Sequence, residues 1–544
     1  MYIQSLTIKN FKGYENLESL KFTEGKNIIV GDNEAKKSTI LEAINLVFTG
    51  TINGKYLTED TLDPYLFNNS AVNDFIENVK KGNRPEYPPE ILIELFFSDD
   101  THSDFQGSEN SFSDKKAKGI YLRIALMEEH KEYYQNLDQD DLRSLPIELY
   151  SIELRRFSGG RQPRALLPIK GSFIDTSSNF QNASDQTISK ILKQNLNTDD
   201  KIKASQFYRG LKENYKEHEI HSKLEKHIDH PNTSVSIDPS SKNAWHTHLS
   251  VYIKDIPFAF VGKGLQTILK TKVALSSKKT EEASVVLIEE PENHLSHSTL
   301  NELVSLISNK YGDKQIIITS HNSYVANKLN LVNLILLNDG NPLYFNDLDE
   351  DTQYFFEKLP GYDTLRLLLS KQVILVEGDA DELVVQKIYK DINDGTLPIE
   401  NGIDVISVNN TFGRFFQLAK PLKKDVALII DLDNKKESRE ALKKDLKKIN
   451  HIDVFFEEND EYKGTLDNYN NNTLEPLLLK YNGIKLLNRI FNKDFKSDDE
   501  ILKFMKDNKT QCALDIFKFK EKITPPKYIV EALNFLEGEK STGL

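Results

Sequence analysis

Gln372-Val-Ile-Leu-Val-Glu377-Gly378-Asp379-Ala380-Asp381 contains an unbroken apolar run that ends in an acid and a glycine. Such a run reads as a buried strand, and the glycine lets the chain turn tightly into a following helix. Glu377 then closes the strand while Asp381, four residues later, stands on the first helical turn, a spacing that lets both carboxylates face one divalent cation. Asp379 points away from that face and is not assigned as a ligand. A second acidic strand end follows at Asp431-Leu432-Asp433, behind the apolar run Val426-Ala-Leu-Ile-Ile430. Alternation across a strand end sets Asp431 and Asp433 on one side of the chain. A single strand-end acid is as often a helix cap as a ligand. Here two acidic strand ends, separated by the strand pattern Gly402-Ile-Asp-Val-Ile-Ser-Val-Asn409, put four acids side by side. Short apolar strands alternating with polar helical stretches predict a small α/β domain over 365–544.

Upstream lies a second α/β pattern. Tyr2-Ile-Gln-Ser-Leu-Thr-Ile-Lys-Asn-Phe11 alternates apolar and polar residues, Lys26-Asn-Ile-Ile-Val-Gly31 is a short buried strand, and Ser38-Thr-Ile-Leu-Glu-Ala-Ile-Asn-Leu-Val-Phe48 has helical spacing. Between strand and helix stands Gly31-Asp-Asn33-Glu-Ala-Lys-Lys37-Ser38-Thr39, where backbone amides and the helix N-terminus can cradle phosphates. Lys37 would reach the outer phosphates and Ser38 would ligate magnesium, with Gly31, Asn33 and Thr39 in the same cradle. Lys36 occupies the position where a phosphate loop has glycine, and a side chain there opposes close backbone approach. The expectation is weak or absent ATP turnover, with nucleotide as a regulator; a degenerate loop that no longer binds nucleotide is the competing reading. Val285-Val-Leu-Ile-Glu289-Glu290-Pro-Glu292 is an apolar strand ending in paired carboxylates. The first can hold magnesium through water and the second can polarise an attacking water. Ile316-Ile-Ile-Thr-Ser-His321 ends another buried strand in a histidine set to contact a terminal phosphate, although a lone histidine there is as readily a loop or capping residue. Gly262-Lys-Gly264-Leu-Gln266 opens an apolar helix whose amides suit a phosphate presented by a second subunit.

The 544 residues exceed what one hydrophobic core holds. The patterns divide them into a nucleotide-binding domain over 1–165 and 249–358, a helical insertion over 166–248 that would make a dimer contact, and the acidic domain over 365–544. Ser98–Lys118, rich in Ser, Asp and Gly, reads as an exposed loop. No apolar run reaches bilayer length and no secretory signal opens the chain, which predicts no membrane segment and a cytoplasmic location. A net charge of −13 excludes a globally basic coat for nucleic acid, so any DNA contact is local. Lys435, Lys436, Lys443, Lys444, Lys447 and Lys448 offer either a phosphate track or a plain solvated helix face. Cys512, the single cysteine, cannot form an intrachain disulfide and reads as core. His218, His221, His227, His230, His246 and His248 crowd the insertion; without cysteine partners they read as titrating side chains on a solvated helix rather than a zinc site.

Taken in order, the phosphate loop, the Gly262–Gln266 helix start, the Glu289-Glu290 strand end and His321 resemble the ABC ATPase family. Leu6-Thr-Ile-Lys-Asn-Phe-Lys-Gly-Tyr-Glu-Asn-Leu17 also resembles the opening of its recombination-repair and chromosome-maintenance branch. The match covers roughly residues 1–350 and implies heads that meet around nucleotide, hence a homodimer or higher oligomer; Glu289 stands where the family has Asp. The acidic strand ends resemble a Toprim domain, the magnesium-binding unit of topoisomerases, primases and certain nucleases. A head of this type followed by Toprim is similar to the OLD (overcoming lysogenization defect) nucleases. That resemblance implies two-metal phosphodiester hydrolysis with magnesium or manganese at Glu377, Asp381, Asp431 and Asp433. It also implies a later Ser/Thr-x-Glu, matched by Thr473-Leu474-Glu475, and a C-terminal lysine, matched by Lys509 in Lys509-Thr-Gln-Cys-Ala-Leu514. Glu475 would complete the metal ligation and Lys509 would neutralise charge on the transferred phosphate. Glu475, next to Pro476, could equally just start a helix, and Lys509 could be one surface lysine among many.

The expected protein is an ABC-type head with a helical insertion followed by a Toprim α/β domain: a metal-dependent DNA endonuclease regulated by ATP and magnesium at the head, acting in antiphage defence. OLD-like proteins occur alone, with a partner helicase as in Gabija systems, or with a reverse transcriptase and its RNA as in retrons, and the sequence does not choose among these. Two rivals stand beside it. A primase or topoisomerase-like activity would use the same acids, but neither an active-site tyrosine context nor a primase zinc module is evident. A DNA-sensing structural ATPase would keep the head and have lost catalysis in the second domain.

Overall fold

The computed structural model describes residues 1–31, 35–98, 102–138, 142–175, 196–214, 245, 249, 251–293, 295–310, 312–321, 333–338, 340–358, 366–367, 370–432, 435–458 and 473–538. They fall into two compact units, Met1–Leu329 and Asn330–Leu544. Among the described residues no helix is long and apolar enough to cross a membrane.

The first unit contains an antiparallel sheet of five strands, in the order Tyr14–Lys21, Tyr2–Phe11, Ile91–Ser98, Gly119–Leu126 and Tyr150–Arg156. The alternation in Tyr2–Phe11 buries Leu6 and Ile8; Ile3 is buried too, because a register shift between Ile3 and Ser5 moves the pattern by one residue. Glu94, buried in the neighbouring strand, is satisfied by the Thr7 hydroxyl at 2.5 Å and the Ser111 amide at 2.8 Å.

Four further strands of this unit run parallel, in the order Lys26–Gly31, Gln315–Ser320, Val285–Glu289 and Gly171–Asp175. The first three have apolar centres of three or four residues and are buried almost throughout, as a sheet covered on both faces requires. Gly31, Ser320, Glu289 and Asp175 therefore end at one edge of the sheet, the edge from which the Lys37–Thr49 helix leaves. Gly171 permits that helix to lie close: a Cβ there would stand 2.4 Å from Phe48 Cδ2. The buried side chain of Gln315 joins the two sheets. Its Oε1 accepts from the Ile3 amide at 2.9 Å, and its Nε2 donates to the carbonyls of Ile3 at 2.8 Å and Thr23 at 2.9 Å. Within the span 166–248, read as helical, the structure thus begins with a strand of the central sheet; the helix Thr198–Asn214 follows, with no buried residue. The six histidines of that span lie outside the described residues.

The second unit opens with the hairpin Leu334–Asn338 and Asn341–Tyr344. Its main sheet has four parallel strands in the order Ile403–Ser407, Gln372–Val376, Asp425–Ile429 and Ile452–Phe455. From Gln372–Val376 the chain builds outward on one side and then crosses to the other, so the winding direction reverses between Gln372–Val376 and Asp425–Ile429. In open α/β sheets the crevice beyond the carboxyl ends at such a reversal is where ligands sit. Glu377 directly follows the first of these strands, and Asp431 lies two residues past the second. Ile374 and Val376 of the sheet share a core with Val384 and Ile388 of the Asp379–Ile392 helix and with Leu477, Ile516 and Ile529 of later helices. Cys512 lies in that core, and burial pushes its thiol up to about 12, a value that keeps it unreactive.

Candidate functional sites

In the second unit, the reversal collects the predicted acids. Asp381 is tied down by its Oδ2, which accepts from the Gly378 amide at 2.8 Å, so it both caps its helix and faces the crevice. Glu377, Asp381 and Asp431 line a cleft of about 10 Å³ together with Val385, Leu474 and Tyr528. Burial pushes the Asp381 carboxyl up to about 7, and the nearby charges of Glu475 and Glu377 add to the effect. Asp431 is raised well above the usual carboxylate range, first by burial and then by Asp381, Glu377 and Glu475. Each acid thus feels the others across one small space, an arrangement that a divalent cation would relieve.

The outer two acids carry cationic partners. Glu475 is buried in the first turn of the Leu474–Phe491 helix, with Lys509 Nζ 2.8 Å from its Oε1 and the Thr473 hydroxyl 3.3 Å from its Oε2. It is therefore a helix-start residue and a member of the cluster at once. Glu377 Oε1 accepts from Arg439 Nη2 at 3.0 Å. Arg439, 6% exposed, also donates through Nε to the Asp431 carbonyl at 3.2 Å. Among the described residues no group of three or more His, Cys, Asp or Glu side chains is placed to hold a metal ion as it stands. Asp433 lies outside the described residues, and Asp379 is exposed. The sequence reading overlooked Arg439, although its spacing to Leu442 and Leu446 sets it on the inward stripe of the Lys436–Leu446 helix. Tyr528, buried against the same acids, carried no comparable signal; burial and the charges of Asp431 and Asp381 hold its phenol far above its ordinary range.

The carboxyl edge of the parallel strands in the first unit forms the second site. Lys37 is buried, and its Nζ donates to the Gly31 carbonyl at 2.8 Å. Lys36 takes the left-handed conformation, with φ 63° and ψ 22°, that a glycine would adopt at this position of the loop. Ser38 and Glu289 hydrogen-bond through their side chains. Burial raises the Glu289 carboxyl, assisted by Asp175, its register neighbour, and by Glu42 and Glu290. Glu290 lies beside His321, Oε1 to Nδ1 3.4 Å; this contact lowers the carboxyl and raises the imidazole. Glu290 also has a positive φ of 40°, so the loops at both Lys36 and Glu290 hold backbone that side chains rarely adopt. Glu292, to which the sequence reading gave no role, is buried; its Oε1 accepts from the Ser320 hydroxyl at 2.7 Å and the His321 amide at 2.9 Å. Gly31 and Thr39 are buried in the cradle, while Asn33 lies outside the described residues. Gly264 is the second residue of the Lys263–Leu275 helix, and its N-cap is Gly262, so no capping side chain covers that helix start.

Two family models match segments of this chain. The family model "AAA domain, putative AbiEii toxin, Type IV TA system" matches residues 26–327. The model "Overcoming lysogenization defect protein-like, TOPRIM domain" matches residues 368–433. The chain is 49% identical over 49 residues to the DNA replication and repair protein RecF of Lachnoclostridium phytofermentans, 9% of this chain and only 13% of that protein. It is 22% identical over 364 residues to an ATP/GTP phosphatase of Helicobacter pylori, 59% of this chain and 85% of that protein. Among solved structures it is similar to the SMC head domain from Thermotoga maritima, with a TM-score of 0.30 and 13% identity over 63% of this chain and 97% of that one. The two models together make the chain an AAA-domain ATPase head followed by a Toprim domain. With more than half of its length matched by the first model, the chain belongs to that AAA-domain ATPase family, and it carries behind the head a TOPRIM domain of the overcoming lysogenization defect type.

Proposed function

We propose that this protein is a metal-dependent DNA endonuclease of OLD type whose ATPase head regulates cutting. The observation that carries the proposal is the convergence of Asp381 and Asp431, from the two strand ends that flank the winding reversal, with Glu377 in one cleft. Glu475 adds its charge to the same acids. Buried acids that raise one another's pKa in a cleft mark a candidate cation site. Glu377, Asp381, Asp431 and Glu475, with Asp433 on sequence grounds, would hold magnesium or manganese. When bound, these ions would activate a water for attack and stabilise the leaving oxygen of the phosphodiester. Lys509, whose side chain is 54% exposed, can turn from Glu475 toward an incoming phosphate and offset its charge.

In the head, Lys37 would move from the Gly31 carbonyl to the outer phosphates of ATP. Ser38 with Glu289 would hold magnesium, and Glu290 with His321 would face the terminal phosphate. The Gly264 helix start would serve the nucleotide of a second subunit in a homodimer or larger assembly. The left-handed Lys36 leaves the loop with a glycine-like backbone, which supports nucleotide binding with slow turnover. The part of the span 166–248 that follows the Gly171–Asp175 strand is proposed as the dimer segment, with the nuclease over 365–544. Antiphage defence in the cytoplasm is the biological setting we infer, with or without a helicase or reverse transcriptase partner.

The test is cleavage of supercoiled plasmid by the purified full chain in magnesium or manganese, compared with Asp431→Ala. Cutting that needs the cation and is lost in the variant is the expected result. Cutting that survives in Asp431→Ala places the chemistry elsewhere, and no cutting under any cation favours the structural ATPase.

A further inference from the structure

The acids of the second unit are of two kinds. Glu377 and Glu475 each hold a basic side chain, Arg439 at 3.0 Å and Lys509 at 2.8 Å. Among the described residues no such ion pair is made by Asp381 or Asp431. The two basic partners also differ: the Lys509 side chain is 54% exposed and can swing away, whereas that of Arg439 is 7% exposed. Arg439 is anchored twice, through Nη2 to Glu377 and through Nε to the Asp431 carbonyl, so one planar guanidinium spans both strand ends of the reversal. The cleft between Glu377, Asp381 and Asp431 measures about 10 Å³, room for about one water or one ion.

We propose that Arg439 is a positioning residue that sets the order of cation loading: the Asp381–Asp431 pair takes the first divalent ion, and a second is admitted only when Glu377 leaves Arg439. The inference rests on the metal-centre reading above. A buried guanidinium already neutralises the carboxylate that a second ion would need, and water screens its repulsion of that ion poorly. Loading would then be coupled to whatever draws Arg439 off Glu377, and a phosphate oxygen of the substrate, which pairs strongly with a guanidinium, has the chemistry to do so.

Calorimetric titration of the full chain with manganese alone, in the absence of DNA, tests the order. The wild type is expected to show one tight step and a second that is weaker by about tenfold or more, the range by which outer partners tune metal sites. Arg439→Met should tighten the second step to about the affinity of the first. Glu377→Gln should keep the first step and lose the second, and Asp381→Asn should lose the first. Arg439→Lys, which keeps the charge beside Glu377, should leave the second step weak, and together with Glu377→Gln it carries the test if circular dichroism shows that the methionine variant is unfolded. Two equal steps in the wild type, a second step no tighter in Arg439→Met, a tight second step in Arg439→Lys, or loss of the first step in Glu377→Gln would each overturn the loading order. Equal steps alongside metal-dependent plasmid cutting would sink this order alone, whereas a wild type that binds no manganese would sink the metal centre with it.

Discussion

Replacing Asp381 by Asn should make the metal-free protein more stable, because the acid is held where its charge is disfavoured. In the fold its carboxyl keeps a proton up to about pH 7, while in the unfolded chain it releases that proton near the ordinary value of 3.8. Between these values the fold binds more protons than the unfolded chain, so stability falls as pH rises through this window and levels off above it. The displacement from 3.8 to about 7 is worth about 4 kcal/mol at ~1.36 kcal/mol per pH unit. Asn keeps an oxygen for the Gly378 amide and cannot ionise. Even half of that energy, at about 2–4 °C per kcal/mol for a unit of this size, would raise the melting temperature by roughly 4–8 °C. Melts followed by scanning calorimetry in EDTA at pH 8 and pH 5 are the assay. The variant should melt higher at pH 8, the gap should shrink toward pH 5, and manganese should stabilise the wild type while leaving the variant unchanged. A variant no more stable than wild type at pH 8, or a gap of the same size at both pH values, would refute the reasoning that burial and neighbouring carboxylates set this pKa.

Three other perturbations follow from the head. Gly171→Ala places a Cβ 2.4 Å from Phe48 Cδ2 and should cost about 1–3 kcal/mol, read as a lower urea midpoint at unchanged slope; an unmoved midpoint would show that the helix can yield. Gln315→Leu removes three hydrogen bonds to Ile3 and Thr23 and should lower stability by about 3 kcal/mol, with faster hydrogen exchange at the Ile3 amide as its local signature. Lys36→Gly relieves a left-handed side-chain residue, worth about 1–2 kcal/mol, and should tighten binding of a fluorescent ATP analogue and raise turnover; if both stay as in the wild type, the lysine is neutral to the loop.

Strands buried on both faces were the most legible part of the chain. Val285–Glu289 and Gln372–Val376 are apolar for nearly their whole length and Gln315–Ser320 has an apolar centre of three isoleucines, a pattern that needs no partner to be recognised. Gly171–Asp175 was harder to see, because it lies at one end of the parallel run and alternates between buried and half-buried positions. The acids at Glu377, Asp381 and Asp431 were visible because strand ends give them fixed positions, but the reversal that brings them together is a property of strand order. Asp175 takes its place through a tertiary neighbour alone, in register with Glu289, whereas Arg439 left only the helical spacing to Leu442 and Leu446 as a trace, and its reach to Glu377 is tertiary. Glu475 was readable in two ways, as a helix start or as a ligand, and its position in the first buried turn satisfies both descriptions.

Gln315 fixes what the head can do mechanically. It sits at the root of the strand whose tip leads into His321, and its amide is gripped by backbone from the N-terminal sheet. Sliding that strand along its axis would break all three bonds together, so the two sheets behave as one plate. The segments that leave this plate at its phosphate end, at Lys36 and Glu290, are the ones whose backbone holds positive φ.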